Sequence, residues 1–548
     1  MNYLKSGNIV DVVNKKIYPG ELVITNGVIS EIRETKKKVE NVYILPCLID
    51  SHIHIESSML VPSAFAAEVV KYGTVATVSD PHEIANVLGV KGVEFMIKDG
   101  NSVPFKFFFG APSCVPATAF ETNGFSISDK DIDYLFQNKD IHYLAEVMNF
   151  PGVIYDDPNV LKKLGISKKY NKKIDGHAPN VRGELLDKYI NAGITTDHEC
   201  FDIEEALEKI KKGMIIQIRE GSAAKNFETL YKLIDQFPDS VMLCSDDLHP
   251  DDLTKGHINL LIKRALSKGL DFFNVIRTCT YNVVKHYGIH VGLLQKNDPA
   301  DFIVVDNIND FNILATYCNG VPVFQNNKSL INNNNKISIN NFARNKISLD
   351  EIMVNKPSDK ANINVISVID GELITKLITS PAKTENNHVV QDIENDILKI
   401  VVINRYDKKS IPTVGFIKNF GLKNGAIATS VAHDSHNIVA VGANDIDLIN
   451  AINEIISNKG GLSISENENT YSLKLEIGGI MTNKKANYVA QKYNELDTKV
   501  KQMGSKLRAP FMTLSFMSLL VIPEIKISDK YLFDSLHFKA ISIFNNQI

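Results

Sequence analysis

Six side chains able to hold a metal ion recur along the first half of the chain: His52, His54, Glu146, His177, His198 and Asp246. In an extended strand, residues two apart face the same side, so His52-x-His54 turns two imidazoles toward one ion. A carboxylate at Glu146 can bridge two cations, His177 and His198 can complete the second, and Asp246 can touch both a metal and an attacking water. The set describes a binuclear hydrolytic centre, in which paired divalent cations lower the pKa of water to near neutrality. A single histidine is more often packed in a core or solvated than used as a ligand. Here that ordinary explanation would have to hold for four of the 14 histidines at three strand ends, beside two suitably placed carboxylates. His142, His249, His257, His286, His290, His388 and His537 show no such pattern and are read mostly as structural.

The elements that must position these groups are legible as short apolar runs alternating with helical stretches, the pattern of a parallel sheet with covering helices. Eight runs predict strands: Val42–Ile49, Thr74–Val78, Phe105–Phe109, His142–Val147, Lys173–Asp175, Ile194–Thr196, Met214–Ile218 and Val241–Cys244. Helix-like stretches lie between many of them, at Val61–Tyr72, Gly183–Ala192, Ile203–Lys212 and Phe227–Gln236. Eight such repeats close into a (β/α)8 TIM-type barrel, whose reactive groups sit past the C-terminal strand ends. All six candidate ligands fall at those ends.

Outside the barrel, β-type runs at Asn8–Val13, Glu21–Thr25 and Val28–Ile32 open the chain, and similar runs return at Asp301–Asp306, Ile313–Tyr317 and Val321–Phe324. Asn26-Gly27 and Asn319-Gly320 suit the positive φ angles of tight hairpins. The expected organisation is a small composite β-sandwich from residues 1–41 and 286–324, a catalytic barrel over 42–285, an Asn-rich linker over 325–361, and a C-terminal α/β domain over 362–548.

Composition limits the partners. The chain has 548 residues, 44% hydrophobic and 23% charged, and a net charge of -4 from 60 basic and 64 acidic residues without a basic block. This disfavours nucleic acid and points to a small-molecule partner. No apolar stretch is long enough for a membrane span, and the first residues lack an export signal, so a cytoplasmic protein is expected, with a homo-oligomer left open. Six scattered cysteines without a Cys-x-x-Cys pair read as reduced and buried.

Seven ordered blocks, Val42–Ser58, Asp80–Asn86, Ala145–Gly152, Asp175–Pro179, Gly193–Cys200, Arg219–Asn226 and Cys244–Pro250, resemble the amidohydrolase superfamily and, within it, the adenine deaminases. The similarity continues into Val431–Gly442. It implies a barrel with a composite sandwich and a distinct C-terminal domain. It also implies hydrolysis of adenine to hypoxanthine and ammonia in purine salvage, with two divalent ions, Mn2+ as the usual cofactor and Fe2+ as an alternative occupant. Where many binuclear relatives bridge their metals with a carboxylated lysine, this chain offers Glu146. Where cyclic-amide hydrolases often place an arginine two residues after His-x-His, it has Glu56, which disfavours an anionic amide substrate.

In the mechanism this resemblance implies, hydroxide bridging the two ions attacks C6, and Asp246 takes the hydroxide proton and relays it to the departing ammonia. Glu83, in Asp80-Pro81-His82-Glu83, either protonates a ring nitrogen or caps a helix and fixes its loop. Arg219-Glu220-Gly221-Ser222 reads either as a purine-edge contact or as a charged turn. His433-Asp434-Ser435-His436 reads as a loop at the active-site mouth, as part of an extra metal site, or as a solvated turn. The competing functions are a hydantoin-like cyclic-amide hydrolase and a catalytically silent barrel scaffold.

Overall fold

The computed structural model describes residues 2–333, 337–357 and 361–545. Part of the expected Asn-rich linker, residues 334–336 and 358–360, lies outside the described residues. Five parallel strands, Leu48–Ile53, Thr74–Ser79, Lys106–Ala111, Ile141–Val147 and Lys173–Gly176, form one arc of the barrel. Thr196–Asp197, Ile215–Arg219 and Val241–Cys244 form a second. The Thr195 amide donates to the Ile174 carbonyl at 3.0 Å, which joins the arcs on one side. On the other, the Asp246 amide donates to the His52 carbonyl at 3.0 Å and the His54 amide to the Asp246 carbonyl at 3.3 Å. The closing bonds are thus made by the same residues that carry the candidate ligands.

One predicted strand divides. Val42–Ile49 was expected as a single barrel strand, but Tyr43–Pro46 pairs with Asn2–Asp11 and Phe302–Val305 in the composite sheet, and only Leu48–Ile53 enters the barrel. Pro46 has no amide hydrogen to continue a ladder, and at Cys47 the chain passes from one sheet to the other. The strands of the composite body hydrogen-bond in one continuous eight-stranded path, and residues of its two halves, such as Ile9, Leu22, Phe302 and Tyr317, share one apolar core. Its hairpin Lys16–Thr25 to Val28–Glu34 turns at Asn26 and Gly27, with φ of 51° and 82°, the left-handed pair that a two-residue turn requires.

The helix Ile203–Lys211 shows how sequence sets a covering element. The Asp202 side chain accepts from the Glu205 amide, acidic residues fill the first turn and lysines the last, which complements the helix dipole. Its Lys209 is fully buried, with its ammonium 2.9 Å from Asp197, 2.6 Å from Glu205 and 2.7 Å from the Ala178 carbonyl. Asp197 also accepts the Ala178 amide at 2.8 Å, so this triad fastens the segment after His177 to the strand that precedes His198. Lys209→Met leaves two buried carboxylates without their cation and is expected to cost about 3–5 kcal/mol. Thermal unfolding at equal metal loading checks this, and a change within about 0.5 kcal/mol, as for an ordinary surface substitution, would show the triad to be solvated.

From Asn362 onward a nine-stranded sheet forms, with Ile397–Ile403, Ala426–Thr429 and Ile438–Gly442 among its central strands. Both faces are buried, with the strict alternation that strands impose. Val401, Ile403, Ala440 and their neighbours pack on the helix Asp445–Asn458. Ile400, Val402, Val439 and Val441 belong to the hydrophobic cluster that includes barrel residues Leu60, Val61 and Phe65. The domain is therefore docked on the barrel by an apolar sheet face. Thr482 adds backbone bonds, accepting from Val61 at 3.1 Å and donating to Met59 at 2.9 Å. All six cysteines are buried and free. Among the described residues, no helix is long and apolar enough to cross a membrane.

Candidate metal centre

Glu146 is the hub of the cluster. One of its oxygens lies 3.2 Å from His54 Nε2 and 3.7 Å from His82 Nδ1, while the other lies 2.8 Å from His177 Nδ1 and 3.3 Å from His198 Nε2. Asp246 Oδ1 faces His52 Nε2 at 3.5 Å and His54 Nε2 at 3.2 Å. All six predicted residues meet at one barrel mouth, as their positions at strand ends require. The His177 side chain is 22% exposed against at most 5% for the other five, so the centre is most open on that side.

Several groups the sequence reading had not singled out join them. His54, Asp80, His82 and Glu146 present ligand atoms within 4.8 Å of one another, as do His177, His198 and Glu199. Asp80 and His82 lay in the block from which only Glu83 was selected, and Glu199 directly follows His198. Their signal was proximity to chosen residues.

The local bonding fits divalent metal. The His54 Nδ1 lies 3.1 Å from the Asp80 carbonyl, which can only accept, so Nδ1 carries the proton and Nε2 turns a lone pair inward. Among the described residues, both ring nitrogens of His52, Nδ1 of His198 and Oδ2 of Asp80 are buried without a hydrogen-bond partner, an arrangement costly to leave unmatched. The donor set is imidazole nitrogen and carboxylate oxygen, which suits first-row divalent cations.

Charge is balanced within the cluster. Burial opposes ionisation of Glu146, but the His177, His198 and His54 imidazoles hold its carboxyl well below the usual range. Burial likewise opposes charge on Asp246, and the Arg219 guanidinium, with His52 and His54, outweighs it. Arg219 Nη1 is 2.6 Å from Asp246 Oδ2, and the same group forks onto Glu199. Arg219 is thus held by two carboxylates, instead of lying free for a purine edge or in an exposed turn.

Behind the candidate ligands, Asp50 sets the backbone. It accepts the amides of His52 at 3.2 Å and Ser245 at 3.1 Å and the Ser245 hydroxyl at 2.5 Å, and its Oδ2 lies 2.9 Å from His257 Nε2. First and last strands are thereby held together at His52 and Asp246. Asp246 itself has φ of 53°, a left-handed conformation that aspartate tolerates better than most residues.

Glu83 lies in the first turn of the helix His82–Leu88. Its two oxygens face His433 Nδ1 and His436 Nε2 of the C-terminal domain in short contacts. Glu56 accepts the Ile84 amide at 3.1 Å and so anchors the start of that helix. Burial and Glu83 push Asp434 up to about 6. The His433–His436 loop is buried at the active-site mouth, with His433 stacked on Phe516 at 4.6 Å between ring centres. It is not a solvated turn, since its histidines address a barrel carboxylate.

Comparison with known proteins covers nearly the whole chain. Residues 43–323 match the model of the amidohydrolase family, and residues 372–539 that of the adenine deaminase C-terminal domain. An adenine deaminase of Methanosarcina mazei is 51% identical over 552 aligned residues, covering 99% of each chain. One from Borreliella burgdorferi is 50% identical over 534, covering 96% of this chain and 97% of that relative.

Proposed function

Since this chain belongs to the adenine deaminase family of amidohydrolases, we propose that it hydrolyses adenine to hypoxanthine and ammonia at the cluster around Glu146. The observation that carries this reading is the identity of about 50% along the whole chain, through the C-terminal domain that contacts Glu83. Nothing in that similarity favours a hydantoin-like substrate, and the complete ligand set argues against a silent scaffold.

Two ions fit the donors better than one, because six strong ligands exceed a single four-coordinate site. His52, His54 and Asp246 would hold one, His177 and His198 the other, with Glu146 between them. Mn2+ is the proposed occupant and Fe2+ the alternative. When bound, such a pair supplies Lewis acidity and a water that ionises near neutral pH. The protein's own groups do the rest. Asp246 accepts the proton of the attacking water and passes it to the exocyclic nitrogen, which leaves as ammonia. Glu83, fixed by two imidazoles, is placed to hold a proton at a ring nitrogen as C6 becomes tetrahedral. Asp50, Arg219 and Lys209 keep the ligands in register. The proposal places the enzyme in the cytoplasm, in purine salvage.

Ammonia release across a purine and pyrimidine panel tests it, using apo-protein reconstituted separately with manganese, iron and zinc. The expected result is turnover of adenine in preference to adenosine, with two ions per chain by elemental analysis. Rapid turnover of adenosine with none of adenine would refute the substrate, and full activity at one ion per chain would refute the binuclear centre.

A further inference from the structure

TIM-type barrels fill their interior with layers of branched apolar side chains, but the layer beneath the candidate ligands of this barrel is polar. Asp175, Thr196 and Gln217 each lie two residues before a group of the metal centre, His177, His198 and Arg219, and the period of two in a strand turns them the same way. All three are buried to 1% exposure or less. The Tyr287 hydroxyl lies 2.7 Å from Asp175 Oδ2, 3.4 Å from Gln217 Nε2 and 3.5 Å from the Ser51 carbonyl, next to His52. Gln217 Nε2 also donates to that carbonyl at 2.8 Å. Three strands from different parts of the barrel wall thus reach one hydroxyl, which only the interior allows.

Among the described residues, Asp175 Oδ1 and Gln217 Oε1, both acceptors, are buried without a hydrogen-bond partner, as is the Tyr143 hydroxyl, whose ring lies 5.7 Å from that of Tyr287. His52 Nδ1 and His198 Nδ1 are unmatched as well. Those two imidazoles stack at 4.2 Å, and their Nε2 atoms face Asp246 and Glu146, so Nδ1 is in each ring the nitrogen on the other side. A neutral imidazole that gives Nε2 to a metal carries its hydrogen on Nδ1, and that hydrogen needs an acceptor. Burial pushes the Asp175 carboxyl up to about 7, and Tyr287 and His198 are among the groups that oppose it. Unmatched donors therefore adjoin unmatched acceptors, and buried water is what commonly joins such groups, with about three hydrogen bonds to each molecule.

We propose that buried water in this layer ties the Nδ1 hydrogens of His52 and His198 to Asp175 and Gln217, which makes these two residues positioning groups for both metal sites. The proposal rests on the binuclear reading above and extends it to residues beneath the candidate ligands. By fixing the hydrogen on Nδ1, the layer keeps the Nε2 lone pair of each imidazole free for its ion. Tyr287 then serves to hold Asp175 and Gln217 at one height in the barrel.

The test titrates full-length apo-protein with Mn2+, reading the free ion from its electron paramagnetic resonance signal, for wild type, Asp175→Leu, Gln217→Leu and Asp175→Asn. Changing a group that supports a metal-binding histidine typically costs 10- to 100-fold in metal affinity, so each leucine variant should bind Mn2+ roughly 10- to 100-fold more weakly. Asp175→Asn, whose amide oxygen still accepts, should recover most of that loss, and it serves with Gln217→Leu as the folded comparison if Asp175→Leu is unstable. Thermal unfolding of the same apo-proteins separates the roles, because a residue that only supports the fold would lower the unfolding temperature and leave the Mn2+ affinity of the folded protein unchanged. Wild-type affinity in the leucine variants, or equal weakening by asparagine and leucine at position 175, would overturn the assignment. A wild-type protein that binds only one ion would instead sink the binuclear reading, so the two failures are distinguishable.

Discussion

Asp246→Asn is expected to lower adenine turnover by a factor of roughly 100 to 10,000, the usual contribution of a positioned general acid or base, with little change in adenine affinity. The substitution keeps shape and tolerates the φ of 53° found at this position, since asparagine also visits the left-handed region. It removes the charge that Arg219 neutralises from one side and that His52 and His54 face from the other. What it cannot do is accept the proton of the attacking water. Metal content must be measured on the same preparation, because a lost ion would mimic a lost base. A fully metallated variant with near-normal turnover would remove Asp246 from the proton relay and leave that task to Glu83.

The second large effect is expected from Glu146→Gln. Its two oxygens address four imidazoles on different strands and loops, so a bridging role demands two equivalent negative oxygens. Glutamine offers one oxygen and one amide nitrogen that can only donate. Changing a group that merely supports a metal ligand typically costs 10- to 100-fold in affinity, and losing the bridge should cost at least roughly 100-fold for the second ion. The measurement is ions retained per chain after dialysis, with thermal unfolding to show that the barrel persists. Normal metal content and activity in this variant would mean the bridge has been misassigned, with Glu83 the next carboxylate to test.

The candidate ligands read from the sequence share one property: each lies on or just past a strand whose apolar run is short and well bounded. His52-x-His54 is legible because a strand has a period of two, and His177, His198 and Asp246 because each closely follows such a run. The division of Val42–Ile49 was not legible, since both halves are equally apolar and only the pairing of Tyr43–Pro46 with Phe302–Val305, far along the chain, separates them. The same limit hid the bonds to Glu83. Contacts between residue 83 and residues 433 and 436 depend on how an apolar sheet face docks on a barrel, and periodicity carries no record of docking. The pairing of Arg219 was hidden for a related reason. Its partners Glu199 and Asp246 come from neighbouring strand ends, so its commitment appears only when the barrel closes.

The eight-stranded sheet also has a history during synthesis. Its early strands, ending at Glu34 and joined by Tyr43–Pro46, gain their remaining neighbours only when Phe302–Val305 and the strands after it have been made. At ribosomal rates of about 5–20 residues per second, that wait lasts roughly fifteen to fifty seconds. Throughout it, the edge of Tyr43–Pro46 exposes unpaired backbone groups beside apolar side chains, the kind of edge that recruits foreign strands. Ribosome-associated chaperones should therefore engage nascent chains shorter than about 300 residues more strongly than chains extended past Gln325, a difference measurable on stalled ribosomes.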